Sequence, residues 1–248
     1  MFDPHGGDMA TDYVTVVVES ASSTQEVAEA EFATAPGPVL VVTGRQPAGR
    51  GRFGRPWWQA DRSMFSSLAF EPSWPARDRA LITLVSGLAA RGAIRAQLGV
   101  TVGLRWPNDL VLDGAKVGGI LAEASQDRVI IGCGINLWWP EPGEGAIGLL
   151  ADDPGPTLAA KLARGWVDEL FIRLGGDPAD WDRDEYRDAS VTIGAEVRYE
   201  GGGGTAIDIT SDGSLLVDTG SGLVAVHAGE VWVGTETTLA PGERQEHR

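Results

Sequence analysis

The residues from Arg45 to Trp58 hold four arginines, three glycines and no acid, in a 248-residue chain whose formal net charge is −15. An acidic body repels phosphate, so a basic, glycine-rich loop on it reads as a built anion site. Gly49, Gly51 and Gly54 let the backbone approach a ligand closely and reach positive φ. Arg45, Arg50, Arg52 and Arg55 offer forked, permanently charged donors that match carboxylate and phosphate oxygens. The loop points to a small, doubly anionic ligand. Gly49-x-Gly51-x-x-Gly54 also matches a dinucleotide fingerprint literally, with Glu71 roughly 20 residues on. That reading needs a helix starting at the third glycine. Arg55-Pro56-Trp57-Trp58-Gln59 followed by a strand leaves no room for one.

A second group of chemistry-bearing residues follows. Trp106-Pro107-Asn108-Asp109 reads either as a structural bend, with Asn108 and Asp109 making Asx-type bonds, or as part of a site. Lys116 enters an apolar strand, Val117-Gly118-Gly119-Ile120-Leu121. A lone lysine there is unfavourable unless its charge snorkels to solvent or meets an anion. Gly118 and Gly119 weaken a strand, so they mark close approach of a ligand to the backbone. Asn136, just after Gly132-Cys133-Gly134, reads as a turn former or a polar ligand contact. The histidines are His5, His227 and His247, which lie outside the main domain's centre and disfavour a histidine-based triad or zinc site. An RNA-binding arginine-glycine segment would need repeats and a basic surround, and a pI near 4.5 argues against general nucleic-acid binding.

These residues need a scaffold. The β-branched runs Tyr13–Val18 and Val39–Thr43 read as strands, and Met64–Phe70 as a third. Ser23-Thr24-Gln25-Glu26 opens a helix with a capping-box pattern. A long amphipathic helix runs from Pro75 or Ala76 to Leu98, with Leu81, Leu84, Val85, Leu88 and Ala89 on one face. Gly103–Trp106, Leu110–Leu112, Lys116–Ala124 and Val129–Ile135 read as strands, with Asp113-Gly114 as a hairpin turn. Thr157–Leu174 reads as a helix with a Thr N-cap, and a short helical piece surrounds Trp181–Arg187. From Val191 onward, short strands at Glu196–Tyr199, Thr205–Thr210, Leu215–Thr219, Leu223–His227 and Val231–Val233 suggest a small barrel. The Gly201–Gly204 run reads as a loop between them. Cys133 is the one cysteine, which excludes an internal disulfide and suits a reducing, cytoplasmic setting. No membrane-spanning run or signal peptide is evident.

The Gly49-Arg50-Gly51-Arg52-Phe53-Gly54-Arg55 loop, the Trp106–Asp109 bend and the Lys116-Val117-Gly118-Gly119-Ile120-Leu121 strand, in this order, resemble the biotin–protein ligase family. The resemblance extends from Ser23-Thr24 through Gly132–Asn136 to the barrel. It implies an α+β fold: a mixed sheet with helices on one side, related to class II aminoacyl-tRNA synthetases, plus a C-terminal SH3-like β-barrel. Residues 12–189 would form the catalytic domain and 190–236 the barrel, with flexible ends at 1–11 and 237–248. It implies ATP-dependent activation of biotin to biotinyl-5′-AMP, with Mg²⁺ held through the phosphates, then transfer to a lysine of a biotin carboxyl carrier domain. Ser23, Thr24, Gln25 and Gln46 would bind biotin, with Gly119 beside them. Arg50 and the backbone of Gly49 and Gly51 would meet its carboxylate and the phosphate. Arg52, Arg55 and Trp57 would close over the nucleotide, Asn108 and Asn136 would line the ATP side, and Lys116 would bridge carboxylate and α-phosphate. The chain departs from the family at Gln25, where Asn is frequent, and at Pro47, where a second Gln is. Too few residues precede Tyr13 for a DNA-binding domain, so repressor activity is not expected. A lipoate or octanoate ligase or transferase on the same fold, or a non-enzymatic biotin sensor, are the other readings.

Overall fold

Alternation of side chains along buried strands builds a two-faced sheet whose faces do different work. The computed structural model describes residues 12–125, 127–227 and 231–233; the expected flexible ends at 1–11 and 237–248 lie outside them. Strands β1 (Val14–Val17) and β2 (Val39–Thr43) pair in parallel, joined by helix α1 (Thr24–Phe32) as a crossover. Strands β3 (Arg62–Phe70), β4 (Gly103–Arg105), β5 (Asp109–Leu112), β6 (Ala115–Ala124) and β7 (Val129–Trp138) add antiparallel neighbours. The seven-stranded order is β1-β2-β3-β7-β6-β5-β4.

One face carries Leu40, Val42, Met64, Leu68, Phe70, Ile131, Cys133 and Ile135 into the main core beneath helices α2 (Leu81–Leu98) and α3 (Leu158–Leu174). Buried Trp166 of α3 donates Nε1 to Ser86 Oγ of α2 at 3.1 Å, so the indole enters the core with its polar atom satisfied. The opposite face carries Val39, Val41, Ala69 and Ile130, which bury Ala28 of the short α1. Helices therefore cover both faces, and the expectation of helices on one side is corrected. Helix α1 is short and covers only the β2–β3 end, which leaves the β6–β7 part of its face open for a cleft.

Helix α4 (Arg183–Ala189) leads into an antiparallel five-stranded, SH3-like sheet of β8 (Glu196–Tyr199), β9 (Gly202–Ile209), β10 (Leu215–Asp218), β11 (Leu223–Val226) and β12 (Val231–Val233), ordered β11-β10-β9-β8-β12. Gly202, Gly203 and Gly204 belong to β9, not to a loop. A Cβ on Gly204 would collide with Asp218 O, and one on Gly203 would lie 2.8 Å from Val197 O. Small size at these positions permits strand packing that any side chain would block. Two further expectations change. Ala76–Asp78 is a separate 3₁₀ turn ahead of α2. Thr157 takes helical dihedrals and makes no side-chain cap bond.

The sheet and the barrel are bound together. Trp106 Nε1 donates to Gly213 O at 2.9 Å and Trp181 Nε1 to Ser211 O at 2.8 Å. Arg183 and Arg187 both pair with Asp208, at 2.9 and 2.8 Å. No described helix is long and apolar enough to cross a membrane.

Burial pushes the Cys133 thiol well above its ordinary value by penalising the thiolate. A thiol reagent added to native protein at neutral pH is expected to label it only on unfolding. Rapid stoichiometric labelling of the native state would contradict this packing.

Candidate active site

The open part of the sheet is paved with glycine. Gly119 of β6 pairs with Gly134 of β7, and Gly132 lies opposite Leu121 in the same ladder. Side chains at 132 and 134 share the α1 face. A Cβ at Gly132 would be 3.6 Å from Ser67 Oγ and 3.7 Å from Gln25 Cδ. Above this floor lies a cleft of about 650 Å³.

At one end stands the start of α1. Ser23 Oγ accepts from Glu26 N at 3.3 Å, the expected N-cap bond. Thr24 Oγ1 and Ser67 Oγ share a hydrogen bond of 2.8 Å, while Gln46 Oε1 accepts from Thr24 N at 2.9 Å. Gln25 Nε2 donates to Leu121 O at 3.2 Å and ties α1 to the floor strand. This end is a ring of small polar groups.

The other end is roofed by the arginine loop, which folds as a hairpin. Trp57 N donates to Gly49 O and Gly51 N to Arg55 O, at 2.9 and 2.8 Å, and Arg50 bridges Pro56. Phe53 (φ 57°) and Gly54 (φ 71°) turn the chain with positive φ. No helix follows, which removes the dinucleotide reading. The hairpin commits the N–H groups of Gly49, bonded to Gln46 O at 3.1 Å, and of Gly51. Both N–H groups are thus engaged within the loop itself. Gly49 itself is a packing position, since a Cβ there would lie 3.1 Å from Gln46 Nε2.

The hairpin returns at Trp57, whose indole lies on the glycine floor. Its Cζ3 would be 3.1 Å from a Cβ at Gly119, and its Cζ2 3.2 Å from one at Gly134. Lys116 Nζ sits 5.1 Å from the ring centroid, a cation–π distance. Trp57 Nε1 is buried with no hydrogen-bond partner among the described residues. An unmatched buried donor is unfavourable by about 1–3 kcal/mol, so it is a donor ready for a ligand's acceptor.

Lys116 meets its anion inside the protein: Nζ is 2.6 Å from Asp109 Oδ1. The pair arises because β5 and β6 are joined by the tight Asp113-Gly114 turn (φ 50° and 81°). Asn108 donates Nδ2 to Ile120 O at 2.9 Å and accepts from Arg52 Nη1 at 3.2 Å. Asn108 thus fastens the bend to β6 and holds Arg52, while Asp109 pairs with Lys116 in place of the expected Asx-type bonds.

Ser23, Thr24, Gln25, Gln46, Arg50, Gly51, Arg52, Arg55, Trp57, Asn108, Lys116 and Gly119 all line the cleft. Gly49 is buried behind it. Asn136 lies away from the lining, buried against Ile147 O with its Oδ1 unpartnered among the described residues. Sequence reasoning missed Ser67, the Asp109 pairing and the barrel residue Val231, which also lines the cleft. Strand alternation could have found Ser67, since it is a polar residue on the same face as Ala69. Among the described residues, no group of three or more His, Cys, Asp or Glu is placed to hold a metal.

Known proteins resemble this chain in sequence and in fold. The biotin/lipoate A/B protein ligase family matches residues 17–136, and the biotin protein ligase C-terminal domain matches residues 192–234. The chain is 32% identical over 213 residues to a biotin–[acetyl-CoA-carboxylase] ligase of Mycobacterium tuberculosis, covering 78% of each chain. Among solved structures, it is similar to an Aquifex aeolicus biotin protein ligase in complex with biotin and ATP (TM-score 0.74, 24% identity, 89% of this chain and 98% of that one). It is also similar to a Leishmania major biotin protein ligase in complex with biotinyl-5-AMP (TM-score 0.66, 23% identity, 87% and 99%).

If the glycine floor seats Trp57, Gly134→Val will lift the indole. Amide exchange across residues 49–57 is then expected to accelerate while the melting temperature changes little. Protection equal to wild type would contradict the packing described.

Proposed function

Because this chain belongs to the biotin/lipoate A/B protein ligase family, we propose that its cleft holds biotin and ATP end to end. The protein is a ligase that uses ATP to activate biotin to biotinyl-5′-AMP and then transfers the biotinyl group to a lysine. The observation that carries the placement is one cleft joining a ring of small polar groups at the start of α1 to Lys116 and the arginine hairpin. A cyclic urea needs neutral donors and acceptors, which Ser23, Thr24, Gln25 and Gln46 supply. Its carboxylate needs a cation, which Lys116 supplies at the far end of the floor.

In the first step a biotin carboxylate oxygen attacks the α-phosphorus of ATP. The bond to the bridging oxygen of the β-phosphate breaks and pyrophosphate leaves. Both reactants are anions, so their approach is opposed until cations stand between them. Lys116 bridges carboxylate and α-phosphate, with Arg50, Arg52 and Arg55 around the developing charge. Trp57, seated on the floor beside Lys116, forms a wall against which the activated acid lies. Gly119 and Gly134 give the Trp57 indole its seat, Gly132 leaves room for the ligand beside Ser67 and Gln25, and Gly49 and Gly51 let the hairpin fold close to the sheet. Asn108 steers Arg52. Asn136 supports the ATP side from behind the lining through the 139–150 segment, where it bonds Ile147 O.

Magnesium fits the donors present, because this hard cation takes oxygen ligands and is commonly held by phosphates plus one or two carboxylates. Asp109 is the carboxylate beside Lys116 that would share in holding it, and the ion would supply charge neutralisation on the phosphates. In the second step the ε-amine of the acceptor lysine attacks the mixed anhydride carbonyl, the acyl–oxygen bond breaks, AMP leaves and the amine nitrogen loses a proton. The hairpin keeps water off the anhydride between the steps. The acceptor is the biotin carboxyl carrier domain of a carboxylase. A cytoplasmic setting accords with a single buried, unpaired cysteine.

Mixing the protein with Mg-ATP and biotin, with lipoate and octanoate in parallel, tests this by mass spectrometry of the acyl-adenylate. Biotinyl-AMP alone is expected; an adenylate from lipoate, or none, would overturn the assignment. Lys116→Ala should lower adenylate formation by about 10²–10³-fold, the scale of losing one preorganised charge-stabilising donor, without a fall in melting temperature. Arg52→Gly should release adenylate into solution faster, read by filtration after one turnover. Unchanged retention would contradict its role in closing the cleft.

A further inference from the structure

We propose that Arg105, the last residue of β4, binds the β- and γ-phosphates of ATP and holds the pyrophosphate as it leaves. This rests on the ligase reading above and extends that site by one strand. Register places the residue. Gly134 of β7, Gly119 of β6, Asp109 of β5 and Arg105 of β4 are consecutive cross-strand partners. Side chains directly opposite one another project from the same face of a sheet. Arg105 therefore continues the row that floors the cleft, and it lines that cleft. It stands one strand spacing, about 4.8 Å, beyond the Asp109 that pairs with Lys116.

The chemistry sets a direction along this row. In a displacement at phosphorus the attacking and leaving oxygens stand roughly in line. Biotin's carboxylate reaches the α-phosphorus from the side of α1. As its oxygen bonds to phosphorus, the bond to the bridging oxygen breaks and that electron pair leaves on pyrophosphate. Pyrophosphate must depart away from α1, past Lys116 toward β5 and β4, where Arg105 stands. The charge of Arg105 is not taken up by a carboxylate. Asp109, its cross-strand neighbour, is held by Lys116, and Arg105 forms no ion pair among the described residues. Arg62, Arg128, Arg173, Arg183 and Arg187 each pair with an acid. Arg105 Nη2 donates to Gly114 O at 3.1 Å, a neutral partner that steadies the guanidinium without neutralising it. Its Nε is enclosed by protein, so contact with phosphate falls to the Nη end. A half-buried cation that keeps its charge, on a chain of net charge −15, is placed for a ligand's anion. Phosphate oxygens suit a guanidinium.

The test is pyrophosphorolysis by the full chain, with biotinyl-AMP and inorganic pyrophosphate supplied and the ATP formed measured. In Arg105→Gln the KM for pyrophosphate is expected to rise about 10–100-fold, the loss of one hydrogen bond to a charged group. Arg105→Lys, which keeps the charge without the fork, should recover most of that loss. Transfer from added biotinyl-AMP to Nα-acetyl-lysine involves no pyrophosphate, so Arg105→Gln should impair it far less. A pyrophosphate KM equal to wild type in Arg105→Gln, an equal loss in both reactions, or no recovery in Arg105→Lys would overturn this role and leave the ligase reading intact. Failure of the wild-type chain to form biotinyl-AMP from Mg-ATP and biotin would overturn both.

Discussion

A β-sheet face is ordinarily closed by its own side chains, and the cleft exists because this one is bare at three adjoining positions. Gly119, Gly132 and Gly134 leave the middle of β6 and β7 without side chains on this face. The same strands remain packed on their other face through Val117, Ile120, Ile131, Cys133 and Ile135, so the floor is open above and rigid below. The remaining features of the site require that floor. Trp57 lies flat only where no Cβ intervenes, the hairpin is seated by Trp57, and the arginines are aimed by the hairpin. The sheet gives up side-chain packing on one face to gain a seat for the Trp57 indole and, beside it at Gly132, room for a ligand.

The second constraint is charge. The reaction brings a carboxylate against a triphosphate, on a protein that is itself strongly acidic. The structure concentrates its cations locally and restrains two of them. Lys116 is held by Asp109 across the β5–β6 hairpin, and Arg52 by Asn108 from the preceding bend. Restraint before binding matters because a lysine or arginine that must first be ordered loses rotamer entropy at the moment of reaction. The bend that holds both residues is anchored in turn to the barrel, through Trp106 Nε1 and Gly213 O and through Trp106 N and Thr192 Oγ1 at 2.8 Å. With Val231 at the cleft edge, the barrel contributes to the position of the site as well as to the stability of the chain.

Much of this was legible in the sequence where the signal is local. The β2 strand, the Ser23 cap, the Asp113-Gly114 turn and the apolar face of α2 follow from neighbouring residue types, and the structure places them as read. The cleft residues were legible because dense arginine and glycine on an acidic chain have few other uses. What escaped depends on contacts distant in sequence. The partner of Lys116 could be required but not named, since its ion pair needs the β5–β6 register. The strand character of Gly202–Gly204 arises from close approach to Asp218 and Val197, which composition does not reveal. Committed N–H groups at Gly49 and Gly51 follow from hairpin closure, where the sequence shows only permissive glycines. Asn136 bonds Ile147 O of the 139–150 segment, a contact that its neighbours in sequence do not announce.

The most direct test of the central claim is biotin-dependent exchange of labelled pyrophosphate into ATP, compared between wild type and Gly119→Val. A Cβ at this position would lie 3.1 Å from Trp57 and 3.4 Å from Asp109 Oδ1, so valine fills the floor without touching the core face. Exchange is expected to require biotin in the wild type and to be absent from the variant, with both proteins melting alike. Exchange persisting in a folded Gly119→Val protein, or proceeding in wild type without biotin, would contradict it.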